Sequence, residues 1–230
     1  MAVADAGGQT INNSNNAASY AALAFTPSAN AIVLVAGAIT NTAATLGLTD
    51  SQGITYTKLV DQVYGTSHKM GLWVATSLAA NSSDTITITN TGDSGTGCVA
   101  FLRYLTGGRT VPNFYRQFNF ATGGAGTTPA VPLTFPVNTN NAVFAWCFNL
   151  TNPAGLTPPG SFAEQQDIGH TAIDMGGEYA HRLTGETGST ITWGGTSVTA
   201  WGAIVVEIYV SGQPINIPLI GHHRNQMFGS

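Results

Sequence analysis

The feature that most narrows the fold is a repetition. "MGLWVATSLAANSSDTITI" at 70–88 and "MGGEYAHRLTGETGSTITW" at 175–193 lie 105 residues apart. Extended to Gly107 and Gly212, the two stretches align without a gap. Identities fall at Met70, Gly71, Ala75, Leu78, Thr85, Ile86, Thr87, Thr91, Gly97, Tyr104 and Gly107, 11 of 38 positions. A composition this rich in Gly, Ala and Thr gives roughly three or four by chance. Earlier in each half, "NAIVLV" at 30–35 corresponds to "NAVFAW" at 141–146, an offset of 111. The chain reads as an internal duplication of a β-meander of about 80 residues, so its fold must be one that two similar halves can build.

The period within each half is that of strands. "DTITITN" at 84–90 alternates strictly, with Ile86 and Ile88 on one face and threonines on the other. "ITYTKLVDQVY", "KMGLWVATSL" and "GCVAFLRYL" come after turn-forming stretches in the first half. "NTNNAVFAWCFNL", "LTPPGSFAEQQ", "AIDMGGEYAHRL", "STITW" and "AWGAIVVEIYV" do so in the second. No segment carries a long capped 3.6-residue pattern, so almost no helix is expected. The expected fold is all-β: an antiparallel β-sandwich, jelly-roll-like, over 21–212. Its repeat halves run about 21–107 and 130–212 and are joined by a connector at 108–129. Residues 1–20 are polar and Asn-rich and read as an extended arm; residues 213–230 read as an extended tail.

Two architectures fit a duplicated meander. Each half could form its own small sandwich, or both could interleave in one pseudo-symmetric sandwich of about ten strands. The connector carries Phe114, Tyr115, Phe118 and Phe120. Four aromatics in seven residues call for burial, which favours one sandwich with this segment packed along it.

Composition excludes several functions. Charged residues make up 8% of the 230, with two Lys and five Arg and a net charge of −4. No basic stripe exists to release counterions from a phosphate backbone, so nucleic acid is not an expected partner. The longest apolar runs are too short to span a bilayer as helices, and 1–20 lacks the basic start and apolar centre of a secretory signal. Synthesis in the cytoplasm, without membrane attachment, is therefore expected. Cys98 and Cys147 sit in apolar strand-like runs and read as buried free thiols.

Several stretches together resemble a known family. They are "FTPSANAIVLV", "LTDSQGITYTKLV", "MGLWVATSL", "TTPAVPLTFPVNTNNAVFAW", "LTPPGSFAEQQD" and "STITWGGTSVTAWGAIVVEI". The pattern, covering about residues 20–212, is similar to a β-sandwich protein family of tailed phages and of bacterial genomes carrying phage genes. The resemblance implies a structural role in a virion, in head decoration, tail or fibre, and brings no catalytic motif or cofactor. It implies the major capsid protein or other virion subunits as partners, and a homo-oligomer, with threefold assembly suggested by the threefold positions of capsid lattices. The segments at 1–20 and 213–230 lie outside the pattern.

Those outer segments are where attachment is expected. Pro214 and Pro218 keep the tail extended. Ile215, Ile217, Leu219, Ile220, Met227 and Phe228 are apolar residues with no evident place in the body, and His222, His223 and Arg224 form the chain's basic cluster. The tail either docks on a neighbouring subunit, as a cement protein requires, or folds back on its own domain. Adjacent His222 and His223 point in opposite directions in an extended chain and do not chelate together.

Reactive centres are poorly represented. His170, Asp174 and Glu178 recur every four residues, but Gly176 and Gly177 interrupt any helix, and a strand would set each about 13 Å from the next, too far for one ion. Asp167 with Glu164 or Glu178 is the pair a glycoside hydrolase would need. No Gly-x-Ser-x-Gly elbow accompanies a triad. "TNTGDSGTG" offers a calcium ion one carboxylate, Asp93. Asn12, Asn81 and Asn149 head Asn-x-Ser/Thr triplets that carry no meaning in an unsecreted chain. Among the tryptophans, Trp73 and Trp146 lie in apolar runs and read as core, while Trp193 and Trp201 flank "GGTSVTA" and are the candidate ligand-facing aromatics. The expected function is thus a non-enzymatic decoration or cement protein. The alternatives are a carbohydrate-binding tail or fibre module, or a hydrolase of surface polysaccharide.

Overall fold

The computed structural model describes residues 2–22, 24–76, 83–91, 95–109, 114–151, 156–171 and 174–212. Among them every regular element is a strand, and every pairing is antiparallel. The first half contributes β1 (Ala4–Asn13), β2 (Ser19–Ala21), β3 (Ile32–Ile39), β4 (Thr45–Asp50), β5 (Thr57–Tyr64), β6 (His68–Thr76), β7 (Ile86–Thr91) and β8 (Cys98–Thr106). The second contributes β9 (Tyr115–Gly123), β10 (Ala130–Pro132), β11 (Ala142–Asn149), β12 (Ala163–His170), β13 (Met175–Arg182), β14 (Thr190–Thr192) and β15 (Trp201–Ile208).

Two five-stranded sheets carry the fold, in the orders β1-β8-β3-β6-β5 and β12-β13-β11-β15-β9. Two smaller sheets, β2-β7-β4 and β10-β14, complete it. No sheet mixes strands of the two halves, so they do not interleave in one ten-stranded sandwich. Nor is either half a meander. Sequence neighbours pair only as β5–β6 and β12–β13: most other successive strands cross between a large sheet and a small one, β8 to β9 passes between the large sheets, and β11 and β12 share a sheet with β13 between them.

The cores explain this arrangement. Ile32, Leu34, Leu72 and Phe101 of the first large sheet share one apolar cluster with Phe144, Trp146, Tyr179 and Ile204 of the second. The opposite face of the first sheet (Val33, Val35, Trp73) packs with Tyr20, Leu46, Ile86 and Ile88 of β2-β7-β4. The opposite face of the second (Val143, Ala145, Val205) packs with Val131 and Ile191 of β10-β14. Both faces of each large sheet are thus covered. That is why β3, β11 and β15 are buried at every position and read as continuous apolar runs. Glycines let the large sheets close on one another. A Cβ on Gly177 would sit 2.8 Å from Val99 Cγ1, and one on Gly202 would sit 2.7 Å from Met70 Sδ.

The segment expected as an N-terminal arm is largely a strand. Residues 4–13 pair with β8 from Ala4↔Thr106 to Asn13↔Cys98. Few side chains there are apolar, but β8 offers a full ladder of backbone partners, and Ile11 and Val3 supply the burial. The aromatic connector is also a strand, β9, at the edge of the second sheet beside β15. The 111-residue offset sets Ile32, in the shared core, against Val143, on the other face. Because side chains alternate, only an even offset there would keep the faces matched. The 105-residue offset does match them: Met70 and Met175, like Val99 and Ile204, all enter the shared core.

Candidate functional site

The densest polar cluster joins the halves. The Asp5 carboxylate of β1 accepts hydrogen bonds from Arg103 Nε (3.2 Å) and Nη2 (2.8 Å) on β8. It also accepts one from the Tyr179 hydroxyl on β13 at 2.8 Å. His181 Nδ1 lies 3.0 Å from that hydroxyl and 3.3 Å from Asp5 Oδ2. The Arg103 guanidinium stands over the Tyr179 ring, 5.0 Å from its centroid. A bulge between Asp5 and Gly7, with Gly7 at φ 133°, turns the carboxylate inward. Burial alone would raise the Asp5 carboxyl, but hydrogen bonds from His181, Arg103 and Tyr179 outweigh it and hold it at about 2. Burial and the Asp5 charge push the Tyr179 phenol far above its usual range. Donors and acceptors satisfy one another here, so the cluster clamps the halves together.

A second carboxylate is saturated in the same way. Glu207 of β15 is fully buried. It accepts from Arg116 Nη1 at 3.2 and 3.0 Å, Gln117 Nε2 at 2.6 Å, Asn141 Nδ2 at 2.6 Å and the Asn138 N–H at 3.0 Å.

Glu178 is the opposite case. It pairs across strands with Cys147 and Asp167, is 0% exposed, and neither carboxyl oxygen has a hydrogen-bond partner among the described residues. Burial, then the Asp167 and Glu164 charges, push it up to about 8. The Trp193 indole N–H eases this slightly, yet it completes no hydrogen bond with either oxygen. Burial and Glu164 raise Asp167 to about 6. The structure therefore brings together the Glu164, Asp167 and Glu178 carboxyls weighed for glycoside cleavage. It encloses Glu178 completely, so a glycosidic oxygen has no path to it.

His170 does not join them. It stands opposite Met175, whose side chain enters the shared core, whereas Glu178 is on the other face of β13. Asp174 lies in the turn before β13. His170 instead approaches His68, and burial, with His170 nearby, draws His68 down to about 4. Among the described residues no group of three His, Cys, Asp or Glu side chains is placed to hold a metal ion.

The aromatic candidates are core residues. Trp193 is 2% and Trp201 4% exposed, both in the cluster beneath β10-β14. The Trp201 indole donates to Thr127 Oγ1 at 2.8 Å. Neither presents a face to a sugar, because the 124–129 and 194–200 segments close over them through the Thr127–Ser197 bridge. Trp73 and Trp146 are buried as expected. Cys98 and Cys147 are buried free thiols, and burial raises both far above the usual thiol range. Ile215, Ile217, Leu219, Ile220, His222, His223, Arg224, Met227 and Phe228 lie outside the described residues, as do Asn81 and Asp93.

The chain matches no family model, no curated protein and no solved structure.

Four strands end the large sheets: β1, β5, β9 and β12. Strands at sheet ends are where another strand can add, although β9 already carries the 132–136 segment along it through Gln117 and Asn119. The Asp5 and Glu207 clusters escaped sequence reasoning because their members are far apart in the chain.

Proposed function

We propose that this chain is a non-enzymatic structural subunit of a phage virion, a decoration or cement protein that attaches to the head lattice through strand edges and its C-terminal tail. The observation that carries the reading is the strand order. In the first half β1-β8-β3-β6 faces β2-β7-β4. With β5 as a fifth strand beside β6, we read this order as jelly-roll-like, an architecture used by viral capsid, lectin and cupin domains. In the second half β9-β15-β11-β13 with β10-β14 has the same order. We read the molecule as two duplicated jelly-roll-like sandwiches set back to back, with a homo-oligomer formed on the lattice.

Further support comes from the chemistry of the polar residues. The Asp5 and Glu207 carboxylates are saturated by the chain itself, and the Glu178 carboxyl is enclosed. A low surface charge also keeps desolvation costs small when large areas are covered. The test is to mix the purified chain with heads of the encoding phage that lack it, then locate it by cryo-electron microscopy. Regular density on the head lattice supports the reading. Density confined to the tail, or no binding, refutes head decoration.

A further inference from the structure

Two carboxyls meet where the chain leaves β4 beside the entry to β7. Asp50 ends β4, opposite Ile86, and Asp84 lies just ahead of β7, bridged to Phe25. The Ser51 N–H donates to the Thr85 carbonyl at 3.0 Å and holds the turn against that entry. The Ser51 hydroxyl donates to Asp84 Oδ1 at 2.9 Å and accepts from the Thr85 N–H at 2.8 Å. Asp50 Oδ1 accepts from the Gln52 and Ile54 N–H groups at 2.8 and 3.2 Å, and the Tyr56 hydroxyl donates to Asp50 Oδ2 at 3.0 Å. The Asp84 carboxyl faces that of Asp50 within hydrogen-bonding reach.

Asp84 is 0% exposed, and its Oδ2 has no hydrogen-bond partner. A buried acceptor left in this state calls for water or an ion. Burial raises the Asp84 carboxyl above its usual range; the Ser51 hydrogen bond opposes this and the Asp50 charge adds to it. Among the described residues no basic side chain pairs with either acid, and the chain's two lysines, Lys58 and Lys69, both bind Asp61, at 2.6 and 3.1 Å. The fold does not need an acid at this place. The 105-residue offset puts Ser189 where the first half has Asp84. The Ser189 carbonyl accepts from the Leu133 N–H at 2.7 Å, as that of Asp84 accepts from Phe25 at 2.9 Å. The second half thus builds the same junction without a carboxylate.

We propose that Asp84 and Asp50 hold a calcium ion in the turn after β4. Asp84 Oδ2 and the remaining lone pair of Asp50 Oδ2 are the acceptors left over for it. These are hard oxygens, which suit Ca²⁺ and Mg²⁺ rather than softer metals. Two carboxylates balance a dication, and Ca²⁺ takes an irregular shell where Mg²⁺ demands a near-ideal octahedron. Asp50 is half-buried and Ser51, Gln52 and Gly53 are exposed, so the ion enters from the turn and keeps water on that side. Bound there, it ties the end of β4 to the start of β7. The site stands independently of the virion reading.

Equilibrium dialysis of the full-length, chelator-treated chain against radioactive calcium tests it. The expected result is one ion per chain, with a dissociation constant of about 10⁻⁴–10⁻³ M. Asp84→Ser, which copies the second half, and Asp50→Asn should each weaken binding by roughly tenfold or more, with the circular dichroism of the strands unchanged. Asp167→Asn, in the other acidic group, should bind calcium as the parent does. No binding by the parent up to about 10 mM calcium overturns the proposal whatever the variants do; a stabilising Asp84→Asn change would then show that the two acids share a proton. Binding that survives both Asp84→Ser and Asp50→Asn overturns it as well, because the ion would lie elsewhere.

Discussion

Glu178→Gln should stabilise this protein, and by an amount set by pH. The carboxyl is held at about 8 against about 4.3 in an unfolded chain. Between those values the native state keeps a proton that the unfolded chain has released. The group's favourable contribution is therefore complete below the unfolded value and is lost as pH rises through 8. At 1.36 kcal/mol per unit, the full loss is about 3–5 kcal/mol once some local relaxation is allowed. Glutamine has the shape of the neutral acid and does not titrate. Urea unfolding monitored by tryptophan fluorescence should find variant and parent within about 1 kcal/mol at pH 5, and the variant ahead by about 3–5 kcal/mol at pH 8.5. Asp167→Asn should narrow the gap at pH 8.5, because the Asp167 charge is part of what raises Glu178. A gap that does not change between pH 5 and 8.5 would refute the reasoning, for it would mean that Glu178 ionises normally and is partnered.

The other buried polar and aromatic groups give further tests. Asp5→Asn should cost about 2 kcal/mol at pH 7, from a carboxyl held near 2; that contribution is present above the unfolded value near 4 and is lost as pH falls toward 2, so acid titration of stability should bring parent and variant together. Arg116→Ala leaves Glu207 buried without a cation and should lower the unfolding free energy by about 3 kcal/mol, read by urea denaturation. Trp193→Ala and Trp201→Ala should each cost about 3–5 kcal/mol, as core truncations do; a loss under about 1 kcal/mol would mean that these rings sit on the surface. His68→Gln should make the fold more resistant to acid between pH 6.5 and 4, because a buried imidazole held at about 4 loses its contribution as pH falls through that window.

Local pattern revealed the strands and missed their partners. "DTITITN" becomes β7 with Ile86 and Ile88 buried, because strict alternation needs only one covered face. The strand at Ala4–Asn13 was hidden: Gly7, Gly8, Gln9 and Asn12 carry little strand propensity, and β8 supplies its pairing from 98–106. The tryptophans misled for a related reason. Trp193 and Trp201 flank turn residues, which suggests exposure, but β10, pairing with β14, brings Val131 over the same core. The shared core itself was illegible, since β3 and β11 are apolar on both faces and give no sign of which residues meet the other half. Asp5, Arg103, Tyr179 and His181 are ordinary residues in sequence; only the contact between the sheets makes them a cluster.

The clamp at Asp5 spans 174 residues of chain to Tyr179. A ribosome adding 5–20 residues per second would need roughly 10–35 s to cover that interval. Through that time the nascent first sheet lacks its phenolic anchor, and the apolar flank destined for the second sheet stands bare to water and to other nascent chains. The strand bearing Asp5 can pair with β8 once residue 106 is made, but its tie to the second half waits for Tyr179 and His181. Premature release or crowded synthesis would therefore do most harm there.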